Sequence, residues 1–225
     1  MKIKHHSIFN NLNSNKINWN IIRNDPSVKG YFIPIDKDGY IKEANSDDSY
    51  KEIIDEILLI IQKYKINSIF SLGSGRAYLE YKLKQKNISI KISDSDDSMD
   101  RIKNFNIFNG VYKLSFVEVF SEIKNFDGLV LMSRIDTETS DDELIEIFNS
   151  LSKIKVRYIY FIPAQLLTFK SLIVEIFIRI KSIIFRKKLI FCGYSRSEKL
   201  ISKFWKKHYM HHKTTNSKSF LLELR

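Results

Sequence analysis

At 225 residues, 44% of them hydrophobic and 28% charged, the chain is long enough to bury a full core and fits one globular domain, with no visible internal repeat. The net charge of +11 accompanies a Lys-, Ile- and Asn-rich composition of the kind an AT-rich genome produces, and without arginine–aromatic clusters for base stacking, nucleic-acid binding is unsupported. Cys192 is the single cysteine, which excludes an internal disulfide, and the absence of a secretory-type apolar core or an eighteen-residue apolar run leads us to expect a cytoplasmic protein without a spanning helix.

Residues 1–48 are expected to form an N-terminal cap. It is Asn-rich, with Ile17, Trp19, Ile21 and Ile22 as anchors, and Tyr31–Ile35 and Tyr40–Ile41 flank Asp36-Lys-Asp-Gly39, which predicts a hairpin covering a pocket or a sheet edge. Ser49 and Glu52 read as a capping box for a helix whose apolar face carries Ile53, Ile54, Ile57, Leu58, Ile61 and Tyr64. A strand from Ile66 to Leu72 then ends in Gly73-Ser74-Gly75, and Tyr78, Leu79 and Leu83 follow at helical spacing. In such a strand–turn–helix unit, backbone amides approach a ligand at the helix N-terminus. The dinucleotide fingerprint asks for glycines at first, third and sixth places, and Tyr78 occupies the last of these.

A second strand, Ile88–Ile92, runs into Ser93-Asp94-Ser95-Asp96-Asp97. Asp94 lies 21 residues after Gly73, where nucleotide folds place a carboxylate for ribose hydroxyls, while Asp96, Asp97 and Ser98 suit the start of a helix near Met99. Strands are expected over Lys113–Phe120, Phe126–Ser133 and Val156–Ile162, with a helix from Asp141 to about Ile154, which together predict an α/β, doubly wound, mostly parallel sheet.

Leu166–Ile184 is apolar over much of its circumference, with Lys170, Arg179 and Lys181 interrupting it and Arg186, Lys187 and Lys188 closing it. It reads as a lid over the acceptor side of the pocket, a membrane-interface helix or a core helix. After Gly193-Tyr-Ser-Arg-Ser197 come a helix through Trp205 and two strands, Tyr209–Lys213 and Phe220–Leu224, joined by a turn at 214–217. His208, His211 and His212 have ligand chemistry but not ligand spacing, so no metal is expected. Neither Ser74 nor Cys192 sits in a nucleophile pattern.

Ile69-Phe-Ser-Leu-Gly-Ser-Gly-Arg-Ala77 resembles motif I of the class I S-adenosylmethionine-dependent methyltransferases, with Ala77 in place of the third glycine, Ser71 where an acidic residue is usual and the bulky Arg76 inside the turn. Phe126–Ser133 resembles the family's Phe-Asp-hydrophobic strand, and the likeness runs from about Tyr50 to Arg225. It implies a seven-stranded Rossmann-like sheet closed by an antiparallel hairpin over residues 49–225, with 166–196 as a lid or interfacial insertion. S-adenosyl-L-methionine is the implied cofactor, held by Ser71, Gly73, Ser74, Gly75, Ala77, Asp94 and Ser95, with Glu118, Val119 and Ser133 beside it. The loop Ser133–Glu138 would carry substrate residues, Asp136 would serve as base for a hydroxyl acceptor, and Arg134, Tyr194 and Arg196 would orient the acceptor. The expected acceptor is a small molecule, a saccharide or, from the apolar face and basic residues of 166–188, a lipid-linked compound, with peripheral membrane contact through 166–188. The alternatives are a methyltransferase-fold binding subunit without catalysis and a nicotinamide-dependent reductase.

Overall fold

The computed structural model describes residues 1–8, 17–28, 30–137, 139–215 and 218–225. In chain order it contains β1 (Lys2–Ser7), α1 (Trp19–Ile22), α2 (Lys37–Ser46), a 3-10 turn (Asp48–Tyr50), α3 (Lys51–Tyr64), β2 (Ser68–Leu72), α4 (Tyr78–Lys84), β3 (Ser89–Asp94) and α5 (Ser98–Asn104). Then come β4 (Gly110–Lys113), α6 (Phe116–Glu122), β5 (Leu129–Ser133), α7 (Asp141–Lys153), β6 (Tyr158–Ile162), α8 (Phe169–Ile184), β7 (Ile190–Arg196), α9 (Glu198–Trp205), β8 (Tyr209–His212) and β9 (Phe220–Leu224).

Short apolar runs become central strands because both of their faces are covered. The seven-stranded sheet has the order β4-β3-β2-β5-β6-β9-β8, with β4 through β6 parallel and β9 antiparallel to both β6 and β8. Side chains alternate between two cores, as the two-residue strand period requires. Ile69, Leu129, Leu131, Tyr158 and Tyr160 pack with Ile54, Ile57, Leu79 and Leu83 on one face. Phe70, Val130, Met132, Ile159 and Phe161 pack with Leu144, Phe148, Ile201 and Trp205 on the other. The expected sheet and closing hairpin are thus present. Buried Glu56 on α3 ties the hairpin down, accepting hydrogen bonds from Ser219 Oγ (2.9 Å), Thr215 Oγ1 (2.9 Å) and the Tyr160 hydroxyl. Asn216 and Ser217 of the expected turn lie outside the described residues, as do residues 9–16 of the cap.

Three local expectations are corrected. The 31–41 hairpin is a helix: Asp36 caps α2 by accepting the Gly39 amide at 2.7 Å, and Tyr40 and Ala44 are buried on one helical face. An Asp-x-x-Gly sequence serves a tight turn and a helix start equally well, and burial of Tyr40 decides for the helix. The Ser49/Glu52 box does not form, because Asp47 accepts the Ser49 amide (3.1 Å) and α3 begins only at Lys51. The third strand ends at Lys113, since Ser115 and Glu118 make a reciprocal capping box that starts α6.

The cap is divided between the main core and a smaller cluster in which Ile17, Ile22 and Val28 pack with Ile190 and Cys192. Ile33, Tyr40 and Ala44 belong to the cluster of the central sheet, and the Tyr40 hydroxyl donates to the carbonyls of Arg76 (2.9 Å) and Ala77 (3.1 Å). At the other end of the cap, β1 pairs antiparallel with β7, Lys2 opposite Arg196, in a separate two-stranded sheet.

Candidate functional site

A cavity of about 540 Å³ lies at the C-terminal ends of the parallel strands, where open α/β sheets hold ligands. The turn after β2, the end of β3 and the loop after β5 form its floor. Trp19 and Arg23, together with His5 and Ser7 from β1 and Cys192, Gly193 and Tyr194 from β7, complete its lining.

The β2 turn is left-handed at Gly73 (φ +66°), Gly75 (φ +58°) and Ala77 (φ +54°). A Cβ on Gly73 would stand 2.6 Å from the Ile135 side chain, so glycine is required there. Asp94 closes the turn from β3. Its Oδ2 accepts the Gly75 amide at 2.8 Å and its Oδ1 the Ser95 amide at 2.7 Å, which leaves Oδ1 a lone pair for a ligand hydroxyl. Arg23 Nη2 stands 3.5 Å from Asp94 Oδ2, and the same guanidinium ion-pairs with Asp96 and lies over the Trp19 ring. Arg76 is accommodated by turning aside, stacking on Tyr78 at 4.4 Å and reaching Asp47 at 3.4 Å.

Ser71 is fully buried and does not line the cavity; its hydroxyl donates to Glu80 Oε1 at 2.6 Å. Glu80 on α4 does line it, so a carboxylate reaches this wall from the helix rather than from the strand. Burial pushes Glu80 up to about 7 despite the Ser71 hydrogen bond. The folded protein therefore holds a proton that the unfolded chain releases near 4.5. Stability should fall as pH rises from about 4.5 to about 7 and level off above, by about 3 kcal/mol at most for this group. Urea midpoints measured across that range should decline less in Glu80→Gln, and equal slopes in both proteins would refute the assignment.

Of the residues expected in the site, Gly73, Ser74, Gly75, Ala77, Asp94, Ser95, Ser133, Arg134 and Tyr194 converge on the cavity. Five do not line it: Ser71, Glu118, Val119, Asp136 and Arg196. Glu118 is committed to the α6 capping box and Val119 to the core, so neither flanks a ligand; Phe116 of the same helix does. Asp136 is fully buried, with Oδ1 accepting the Ala164 amide at 2.8 Å and Oδ2 unpartnered among the described residues. Burial pushes it up to about 6, and as placed it braces the end of β6 and cannot act as base on an acceptor. Arg196 is also fully buried, donating to Asp141 Oδ1 (2.8 Å), the Asp136 carbonyl (2.6 Å) and the Thr139 carbonyl, so it clamps the β5 loop and orients no acceptor. Glu138 lies outside the described residues.

Helix α8 contributes nothing to the cavity wall; within the expected lid, 166–196, the lining comes from Cys192, Gly193, Tyr194 and Ser195 of β7, with β1 paired beside it. His5, Trp19, Arg23, Tyr31 and Gln165 were missed because only tertiary pairing brings them here. The three C-terminal histidines take separate partners, His208 with Asn149 (2.8 Å), His212 with Glu223 (2.8 Å) and His211 against Phe220.

No protein-family model and no curated protein matches the sequence. Solved structures do match in shape. Magnesium protoporphyrin IX methyltransferase from Synechocystis PCC 6803 with bound SAH aligns at TM-score 0.55 and 12% identity, over 91% of each chain. Human N-acetylserotonin methyltransferase in complex with SAM gives 0.54 and 11%, covering 94% of this chain and 63% of that one. Mitomycin 7-O-methyltransferase gives 0.53 and 11%, covering 83% and 60%. The chain thus spans somewhat less than two thirds of these last two proteins. The seven-stranded, mostly parallel sheet closed by an antiparallel hairpin and these likenesses in shape together show that the chain has the fold of the class I S-adenosylmethionine-dependent methyltransferases.

Proposed function

We propose that this chain binds S-adenosyl-L-methionine and transfers its methyl group to a small-molecule acceptor. The observation that carries the reading is Asp94, held inside the cavity by the amides of Gly75 and Ser95, with a lone pair of Oδ1 left for a ribose hydroxyl and Oδ2 shared with Arg23. The left-handed glycine turn beside it leaves room for a ligand backbone, and Glu80 brings a carboxyl group to the same wall. Tyr78, buried in place of a third glycine, weighs against a nicotinamide cofactor. Support from shape comes from neighbours whose structures contain SAM or SAH.

The bound cofactor supplies an activated sulfonium methyl, so transfer is a displacement that rewards alignment and exclusion of water. Here β1 and β7 contribute to the cavity wall, while Arg134, Tyr194 and Gln165 offer polar contacts to an acceptor. If the acceptor is a hydroxyl, His5 is the base candidate in place of Asp136: it lines the cavity, and its Nδ1 lies 3.6 Å from the buried Glu175. A saccharide or lipid-linked acceptor fits the same proposal.

Calorimetric titration tests it. Wild-type protein should bind S-adenosylmethionine and its demethylated product, and not NAD; Asp94→Ala should weaken binding about 10- to 150-fold, the effect of losing about 1.5–3 kcal/mol of charge-assisted hydrogen bonding. No heat at millimolar cofactor with folded protein would overturn the methyltransferase reading. Binding without turnover of any acceptor would favour the binding-subunit alternative.

A further inference from the structure

Helix α8 is assembled with its polar side inward. The residues it buries are Ser171, Glu175 and Ser182, whereas Phe169 is 79% exposed, Phe177 65%, Ile183 78% and Ile184 67%. At 3.6 residues per turn, Ile173, Ile180 and Ile184 lie opposite the buried trio, so the outward face is a continuous apolar stripe. Polar contacts hold the inner side. Glu175 accepts from the His6 amide (3.0 Å) and pairs with His6 Nδ1 (2.7 Å) on β1, and Arg179 Nε donates to the same carboxylate at 2.8 Å. Ser171 completes the capping box with Thr168.

An exposed patch of this kind marks an interaction surface. Its charge selects the partner. Lys170 and Lys181 border the stripe on one side and Arg179 on the other, Arg186, Lys187 and Lys188 follow its C-terminal end, and all six are exposed. The only acidic residue on the helix, Glu175, is buried against β1. A second copy docked symmetrically would set these cations against themselves. Anionic headgroups neutralise them while the stripe enters the acyl boundary. No described helix is long and apolar enough to cross a membrane, so the helix lies in the plane of the surface.

We propose that α8 docks the protein peripherally on anionic membranes, Phe169, Phe177 and Ile184 entering the lipid and the flanking lysines and arginines contacting phosphate. Docking does not depend on the methyltransferase reading. Taken with that reading, it sets the β1–β7 wall next to lipid, because His6 holds α8 while the adjacent His5 lines the cavity, and it makes the acceptor an amphiphile.

The test is cosedimentation of the full chain with phosphatidylcholine vesicles, with and without phosphatidylserine. Binding is expected only with phosphatidylserine and should weaken as salt rises. Phe177→Ser should reduce it about tenfold, the order expected from burying one aromatic side chain, and Lys181→Ser about fivefold, for about 1 kcal/mol per cation near an anionic surface. Both sites are exposed, so melting and cofactor titration should match the wild type and separate loss of docking from loss of fold or cofactor site. Absence of binding to anionic vesicles by folded protein would overturn the proposal, as would binding indifferent to both substitutions. A dimer that Phe177→Ser dissociates, without vesicle binding, would reassign the face to a subunit contact.

Discussion

Arg196→Met should lower the free energy of unfolding by about 3–5 kcal/mol, the range for breaking a buried, hydrogen-bonded charge. The fully buried guanidinium is donor to three acceptors at once, the carbonyls of Asp136 and Thr139 and the carboxylate of Asp141. Methionine fills much of the space but donates nothing, so two interior carbonyls lose a donor and Asp141 keeps only Lys2, at 3.0 Å. Arg196→Lys should rescue little, since an ammonium cannot reproduce the planar fork. Urea unfolding measures both, and a loss below about 1 kcal/mol in the Met variant would show that the clamp is dispensable.

Gly193→Ala ranks next. Gly193 has φ +125°, and a Cβ there would stand 1.9 Å from the Thr137 carbonyl oxygen, which also accepts the Tyr194 amide at 2.7 Å. The obstructing atom is backbone, so the strand must move away or the φ must change. Either response costs about 2–4 kcal/mol in strain and misplaced packing. Tyr194, one residue on, lines the cavity, so cofactor or acceptor affinity should fall together with the melting temperature. A variant that melts like the wild type would mean that β7 and the β5 loop do not approach this closely in solution.

What was legible in the sequence is what local pattern controls. The run Ile69–Leu72, the turn to Ala77 and Asp94 at the end of β3 could be read because strand burial, left-handed turns and strand-end carboxylates leave marks within a few residues. Where one motif serves two structures, reading failed: Asp36–Gly39 caps a helix, and Ser115–Glu118 starts one inside a stretch whose Phe and Val suggested a strand. Asp136 and Arg196 were misassigned for a different reason. Charged residues beside a ligand crevice look alike in sequence whether they face the ligand or support the loop, and only their burial separates the two roles. His5 and Arg23 carried no signal, because nothing near them in sequence announces the partners that bring them to the cavity.

The β1–β7 pairing also sets a timetable for synthesis. Arg196 is made long after its partner Lys2, so at roughly 5–20 residues per second β1 waits about 10–40 s before it has β7 to pair with. The central sheet waits as well, since β9 must insert between β6 and β8. Such long-range closures form late and slowly. During that interval α8 emerges from the ribosome before β7, which follows it in the chain and carries the strand that β1 must pair with before His6 can be held in place to grip Glu175. Helix α8 is therefore made before the strand that anchors it, and its polar inner side has no partner until β7 has followed it and paired with β1.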